Sequence, residues 1–425
     1  MPDAKPVRAA KAHRSATGGA ATSGLSLPID KRTRYVLAAL AAACGVASGG
    51  YSLGSAMARN SIDLAFAIDP SNPLIASRYA LSEISNPIQG KRPSNYREVA
   101  ARALEQDPTA ADAAVAIGIS SQLENEPALG DEAFAYALML SRRETRAHVW
   151  AIEQAVTMGD IRLALAHYDL AIRTSNAAEN SFFPNLADAS KEKLVRKELV
   201  LLFRKNPPWR DRFLNFAAKQ ARRPEFISDL VSDLQKDGRR VDRKIIANLV
   251  NNLFSRGLYT LAWRNYAESL DENPGLIRDF KADPSELTAF NWLTEVSPGI
   301  LPTIIRSGDN YVLDVSKVPS SAGQVATQAL GLRPGTYRLS GSFKAPQGTD
   351  RSAYRWAISC TDREPFAMID LGGGQGTQTY RKAFTVPADC PQQTLTLTAR
   401  QSSGFQAQNT SFASPTITPV GANAN

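Results

Sequence analysis

The sequence predicts a multidomain α plus β protein: one transmembrane helix, an α-solenoid of helix pairs and a C-terminal antiparallel β-sandwich. Three observations carry this. Tyr35 to Met57 run for 23 residues without a charge, small and apolar residues recur every 34 positions between Ala100 and Ile172, and from about residue 290 the apolar period changes to two. The expected pieces are a basic tail (1–34), the membrane helix (35–57), a helical repeat domain (58–282), the sandwich (283–420) and a short tail (421–425).

As a helix rising about 1.5 Å per residue, Tyr35–Met57 reaches roughly the 30 Å of a bilayer's hydrocarbon core. Two processed forms compete with an uncleaved anchor. Ala56-Met57-Ala58 has the small residues of a signal-peptidase site, and Ala42-Ala43-Cys44-Gly45 resembles a lipoprotein lipobox. A signal peptide's charged leader is brief, whereas 34 residues precede Tyr35, and Ala41 stands where a lipobox usually has Leu. The anchor is therefore the preferred reading. Gly45 and Gly49, and Gly50 and Gly54, have GxxxG spacing, which lets helix backbones approach closely in lipid. Helix association through these four glycines is one expectation; simple filling of a weakly apolar anchor is the other.

The net charge is +8, but residues 1–34 hold seven basic and two acidic residues, which leaves +3 for the rest. The surplus belongs to the tail, which removes the argument for nucleic acid as a partner. Rich in Ala, Ser, Gly and Pro, the tail is expected to be disordered. Its charge beside the helix predicts a cytoplasmic N-terminus and a bulk on the far side, in a bacterial inner membrane facing the periplasm. Cys360 and Cys390 are the pair in the exported part, a disulfide candidate. Closing a loop of about 30 residues stabilises by roughly 3 to 4 kcal/mol on the chain-entropy estimate. Two unlinked core thiols are the alternative.

From Arg59 to about Ala289 the chain reads helical, with turn signals at Asp69-Pro70, Asp107-Pro108, Asn206-Pro207-Pro208, Asp237-Gly238 and Asn273-Pro274. Ala103, Ala137 and Ala171 are each 34 apart, and Ala100, Phe134 and Tyr168 precede them. Such a period means stacked helix pairs. Ala164, Tyr168 and Ala171, and again Ala262, Tyr266, Ser269 and Pro274, resemble the second helix of the tetratricopeptide repeat, and Gly118 falls at the Gly of its first helix. Ala114 and His148 occupy the place of that family's Trp, and residues 177–240 lose the period, so the array is degenerate. The resemblance implies a superhelix with a concave, protein-binding face. Trp209, Phe213 and Phe216, and Phe226, Leu230 and Leu234, form helical stripes that we assign to core.

Asp283-Pro284-Ser285-Glu286 has the signature of a helix start, with the short helix ending near Phe290-Asn291-Trp292. Alternating strands follow: Tyr311, Leu313 and Val315; Tyr337, Leu339, Gly341 and Phe343; Tyr354, Trp356, Ile358 and Cys360; Leu395, Leu397 and Ala399. Short alternating strands between turns such as Arg333-Pro334-Gly335 indicate a sandwich. The FNW entry, the Leu332–Tyr337 strand pair, the Trp356–Cys360 strand, the Val386-Pro387 to Cys390 segment and a closing 393–398 strand resemble jelly-roll modules of the carbohydrate-binding type. Together with the anchor and the repeats, this is similar to envelope proteins that accompany bacterial polysaccharide synthesis or export.

The aromatics of these strands share the inward phase with Ile, Leu and Cys, which assigns them to core. Trp292, Phe366 and Phe405 are left as candidate ligand contacts. The three histidines, His13, His148 and His167, form no cluster of metal-ligand spacing with Cys or carboxylates. Gly372-Gly373-Gly374-Gln375-Gly376 lacks the Lys-Ser/Thr of a P-loop and reads as a loop between strands. No cofactor and no catalytic residue is indicated. The expected function is a non-enzymatic, membrane-anchored scaffold of exopolysaccharide or other envelope polysaccharide assembly, with protein partners on the repeats and polysaccharide as a further ligand. A lectin-like polysaccharide-binding module and a glycan hydrolase or lyase are the alternatives.

Overall fold

The computed structural model describes Ala39 and residues 52–85, 93–270, 277–280, 286–345, 353–361, 363–372, 376–403 and 407–420. The tail 1–34, most of the expected membrane stretch with Gly45, Gly49 and Gly50, the Asp283–Ser285 cap, Pro274, Phe405 and the tail 421–425 lie outside the described residues. Among the described residues no helix is long and apolar enough to cross a membrane. The chain forms two compact units, Met1–Gly130 and Asp131–Asn425.

In the first unit the helices are α1 (Ile62–Ile68), α2 (Pro73–Ser85), α3 (Pro93–Gln106) and α4 (Ala111–Leu123), with the start of α5 (Pro127–Leu140). Asn72 caps α2: its Oδ1 accepts from the amides of Leu74 and Ile75 at 3.1 and 3.4 Å, satisfying two otherwise orphaned donors. Gly54 is buried in a helical run at 52–57, and a Cβ there would stand 3.2 Å from both Asp69 Cβ and Ile75 Cδ1. Its small size thus serves packing against the α1–α2 connection of the same chain, a use for this glycine that the GxxxG reading did not include.

In the second unit, α6 (Thr145–Thr157), α7 (Ile161–Thr174), α8 (Asn176–Ala189), α9 (Lys193–Phe203), α10 (Arg210–Gln220), α11 (Pro224–Lys236), α12 (Arg243–Ser255) and α13 (Tyr259–Glu268) follow α5. Helices α3, α5 and α7 begin at residues 93, 127 and 161, each 34 beyond the last; α9, α11 and α13 begin at 193, 224 and 259. The helical array therefore continues through 177–240. The period is lost there because the steps become 32, 31 and 35 residues.

The small and aromatic positions of the period are core: Ala100, Ala103, Ala137, Ala171 and Ala262 are buried, as are Phe134 and Tyr266. Trp209 is fully buried among Phe183, Phe203 and Phe213, with ring centroids 5.5 to 6.2 Å apart, and its Nε1–H donates to Asp169 Oδ1 at 2.8 Å. A buried indole requires such a partner. Phe226, by contrast, is half-buried, with the Arg223 guanidinium 5.9 Å over its ring, while Leu230 and Leu234 are in the core.

Among the described residues the sandwich has eleven strands: β1 (Leu293–Thr294), β2 (Ile300–Ser307), β3 (Asn310–Lys317), β4 (Gly323–Leu330), β5 (Gly335–Ala345), β6 (Tyr354–Cys360), β7 (Pro365–Leu371), β8 (Gly376–Val386), β9 (Gln393–Ala399), β10 (Gln408–Ala413) and β11 (Thr416–Pro419). One antiparallel sheet is ordered β1-β4-β9-β6-β7. In the other, β8 pairs along the length of β5, β10 and β11 share the opposite edge of β5 end to end, and β3 and β2 follow β10. The alternating residues named above point inward, with Leu313, Val315, Leu395, Leu397 and Ala399 fully buried. The 393–398 strand is not the last, however. β10 lies inside the second sheet, and only Thr410 and Phe412 of its QNTSFA are buried, too short an alternation to register as a strand.

The expected helix does not run on to Trp292: Glu286 closes a 3-10 turn, and Leu287–Trp292 are not helical. Asn291 Oδ1 accepts from the Thr288 amide and hydroxyl at 2.9 and 2.8 Å, and Thr288 Oγ1 accepts from the Phe290 amide at 3.2 Å. These side chains give the backbone a turn in place of helical bonds. The turn sends Phe290 and Trp292 into different cores. Phe290 packs among Phe254, Trp263 and Tyr266 of the helices at 5.0 to 5.7 Å, whereas Trp292 packs on Phe280 and Trp356 at 5.0 and 5.6 Å. The seam is completed by Ala329 N–H donating to Ala289 O at 2.7 Å, Asn251 Nδ2 to Leu287 O at 2.9 Å, and Trp263 lying against Gly331.

Candidate interaction groove

Helix α9, KLVRKELVLLF, is apolar on more than one face. Val195, Leu199, Val200 and Phe203 are buried, yet Leu194 is 56% exposed and Leu201 half-exposed. A helix whose apolar residues exceed one stripe has surface left over for a second contact. On one side of α9 lies a hollow of about 690 Å³, lined by Lys193, Leu194, Lys197, Val200, Leu201 and Arg204 with Asp233, Lys236 and Asp237. On the other side a hollow of about 360 Å³ is lined by Arg162, Leu165, Ala166, Glu198, Leu201, Leu202 and Lys205. Leu201 belongs to both, so α7, α9 and α11 present one surface with an aliphatic floor.

The charges on this surface do not cancel. Glu198 accepts from Arg162 Nε at 3.1 Å, Asp233 from Arg196 Nε at 3.3 Å and Asp237 from Arg204 Nε at 3.0 Å. The hydrogen bond from Arg204 holds the Asp237 carboxyl below its ordinary range, so it remains ionised and engaged. Lys193, Lys197, Lys205 and Lys236 make no ion pair among the described residues. The site thus combines recessed apolar surface with surplus ammonium groups. Among the described residues no group of three His, Cys, Asp or Glu is placed to hold a metal ion.

A polar pair, one member buried and the other half-buried, lies inside the same array. His148, in the position where the repeat family has Trp, is 2% exposed. Its Nε2 is 3.0 Å from Arg142 O, and its Nδ1 is 3.1 Å from His167 Nδ1. A carbonyl only accepts, so Nε2 carries a hydrogen, and of the two facing Nδ1 atoms one donates to the other. Burial, then the neighbouring His148, pushes the His167 pKa down.

In the sandwich, Cys360 and Cys390 are joined by a disulfide, with Cα atoms 5.5 Å apart. Trp292 is 2% exposed and its Nε1–H donates to Arg278 O at 2.7 Å, so the ring is committed to the core, where it is also one of the residues lining a cleft of about 360 Å³ beside β1. Phe366 is half-buried against Phe384, 6.3 Å away. Among the described residues of the sandwich no aromatic ring is exposed. The α9 groove was not singled out in the sequence. The signal available was Leu194 and Leu201, seven apart and flanked by lysines, on a helix already supplied with a buried stripe.

No family model and no curated protein matches the chain. Solved structures similar to part of it include the carbohydrate-binding module CBM4, at 16% identity over 35% of this chain and 99% of that one, TM-score 0.27. A putative sugar-binding protein from Bacteroides thetaiotaomicron is 11% identical over 34% and 94%, TM-score 0.26. The APC/C hetero-tetramer Cut9–Hcn1 is 14% identical over 53% and 43%, TM-score 0.22.

Proposed function

We propose that this chain is a non-enzymatic scaffold, anchored in a bacterial inner membrane with its bulk in the periplasm, that assists exopolysaccharide or other envelope polysaccharide assembly by holding a protein partner. The observation that carries this reading is the apolar, positively charged surface of α7, α9 and α11. The Cys360–Cys390 bond supports an exported bulk, because disulfides persist in oxidising compartments; the basic tail before the uncharged stretch supports the orientation. The sandwich supports direct sugar recognition less, since its described aromatics are turned inward or half-buried.

The reading is tested by crosslinking the full-length protein in its own membranes and identifying what is retained, alongside assays of envelope-glycan turnover. A protein partner without turnover is expected. Cleavage of a glycan that disappears on changing a single Asp or Glu overturns the scaffold in favour of an enzyme. A reporter fused after Asn425 and active only in the cytoplasm overturns the orientation.

A further inference from the structure

We propose that the surface of α7, α9 and α11 is the docking site for an acidic amphipathic helix of the partner protein. The helix lies along α9, with aliphatic residues over Leu194 and Leu201 and carboxylates against Lys193, Lys197, Lys205 and Lys236. This names the partner chemistry of the scaffold reading and rests on it.

Leu194 and Leu201 are seven residues apart, two turns of α9 or about 10 Å. Aliphatic anchors at i and i+7 of a helix laid alongside match that separation, which is how amphipathic helices read grooves. The electrostatics select the sign. Each lining carboxylate, Glu198, Asp233 and Asp237, already has an arginine partner, so an incoming cation finds none free. The four lysines have no ion pair among the described residues, so incoming carboxylates find four partners. The chain's own tail is excluded as occupant by its seven basic and two acidic residues. A glycan is disfavoured because the lining is aliphatic and holds no aromatic face. An anionic bilayer is disfavoured because the floor is recessed, with Val200 buried between the helices.

The test uses full-length protein in mild detergent and a fluorescent peptide of about 18 residues, five helical turns, with Leu along one face and Glu elsewhere. Its counterparts carry Lys for Glu or Ser for Leu. The Leu-Glu peptide is expected to bind and both counterparts to bind weakly or not at all. Lys193→Glu/Lys197→Glu, at surface positions, should weaken binding roughly tenfold by exchanging two attractions for two repulsions. Lys236→Glu supplies a second variant on α11 and should act in the same direction. Unchanged affinity in both variants overturns the proposal, as does equal binding of the Lys peptide. So does preferential binding of anionic vesicles or of a uronic-acid oligosaccharide that is indifferent to Leu194→Ser. Membrane crosslinking of wild type and the double variant separates the two readings. A partner recovered equally from both overturns the groove and leaves the scaffold; no partner from either removes the scaffold itself.

Discussion

Gly331→Ala tests the seam between the helices and the sandwich. A Cβ on Gly331 would lie 2.4, 2.6 and 2.9 Å from three ring carbons of Trp263, closer than any van der Waals contact allows. The ring cannot swing freely, because Phe290 and Tyr266 stand 5.0 and 5.8 Å from it. The strain of overpacking such a site is about 1 to 3 kcal/mol. For a unit of this size that lowers the melting temperature by roughly 2 to 6 °C, at about 2 °C per kcal/mol. Differential scanning fluorimetry of the full-length protein in mild detergent reads the shift. The cause is isolated by a double-mutant cycle, in which Trp263→Leu vacates the space that the added methyl needs. In that background Gly331→Ala should cost little, giving a coupling of about 1 kcal/mol or more. An equal cost in both backgrounds refutes steric docking of Trp263 on Gly331, and so does a cost below about 0.5 kcal/mol in the wild type.

Alkylation of the denatured, unreduced protein should leave Cys360 and Cys390 unmodified, and Cys360→Ser/Cys390→Ser should lose about 3 kcal/mol for a 30-residue separation, read by urea unfolding. The His167 pKa is pushed down in the fold, so the neutral ring is the form the fold prefers. Its contribution is complete above the unfolded value of about 6.5 and is lost as pH falls from there to the lowered folded value. A melting temperature measured against pH should show that decline, and His167→Asn should flatten it. Asn252→Ala should cost about 1 to 3 kcal/mol, because the Asn252 amide donates to the buried carbonyls of Ala218 at 3.0 Å and Ala221 at 3.4 Å and nothing would replace it; chemical denaturation checks the value.

Much of the architecture was legible because it is encoded locally. The 34-residue recurrence of Ala103, Ala137 and Ala171 marks one buried face per helix pair, and a helix that must bury one stripe writes it into its sequence at helical spacing. The alternation of Tyr354, Trp356, Ile358 and Cys360 does the same for a strand with one face on a core. Where the local code was ambiguous, the reading stopped short. β10 buries two residues in six, and the helix expected to end near Phe290-Asn291-Trp292 gives way after Glu286 to a turn held by the Thr288 and Asn291 side chains.

The candidate site was less legible for a related reason. Trp292 was left as a ligand contact because it lies in a loop, outside the alternating strands whose aromatics read as core; burial came from Phe280 and Trp356, the latter 64 positions along the chain. Leu194 and Leu201 did not stand out because α9 is apolar nearly all round, and periodicity cannot say which of two stripes meets the next helix.

By itself, then, the sequence determined that the chain pairs helices, then alternates strands, that two of its cysteines are suited to a bond, and that its positive surplus lies before the uncharged stretch. Tertiary structure alone decided that Phe290 and Trp292, two residues apart, serve different cores, that Gly331 admits Trp263, that Gly54 packs on the chain's own α1–α2 connection, and that Leu194 faces outward among lysines. The physical reason is that a sequence pattern records how many faces of an element must leave water, whereas which neighbour covers each face depends on contacts between residues far apart in the chain.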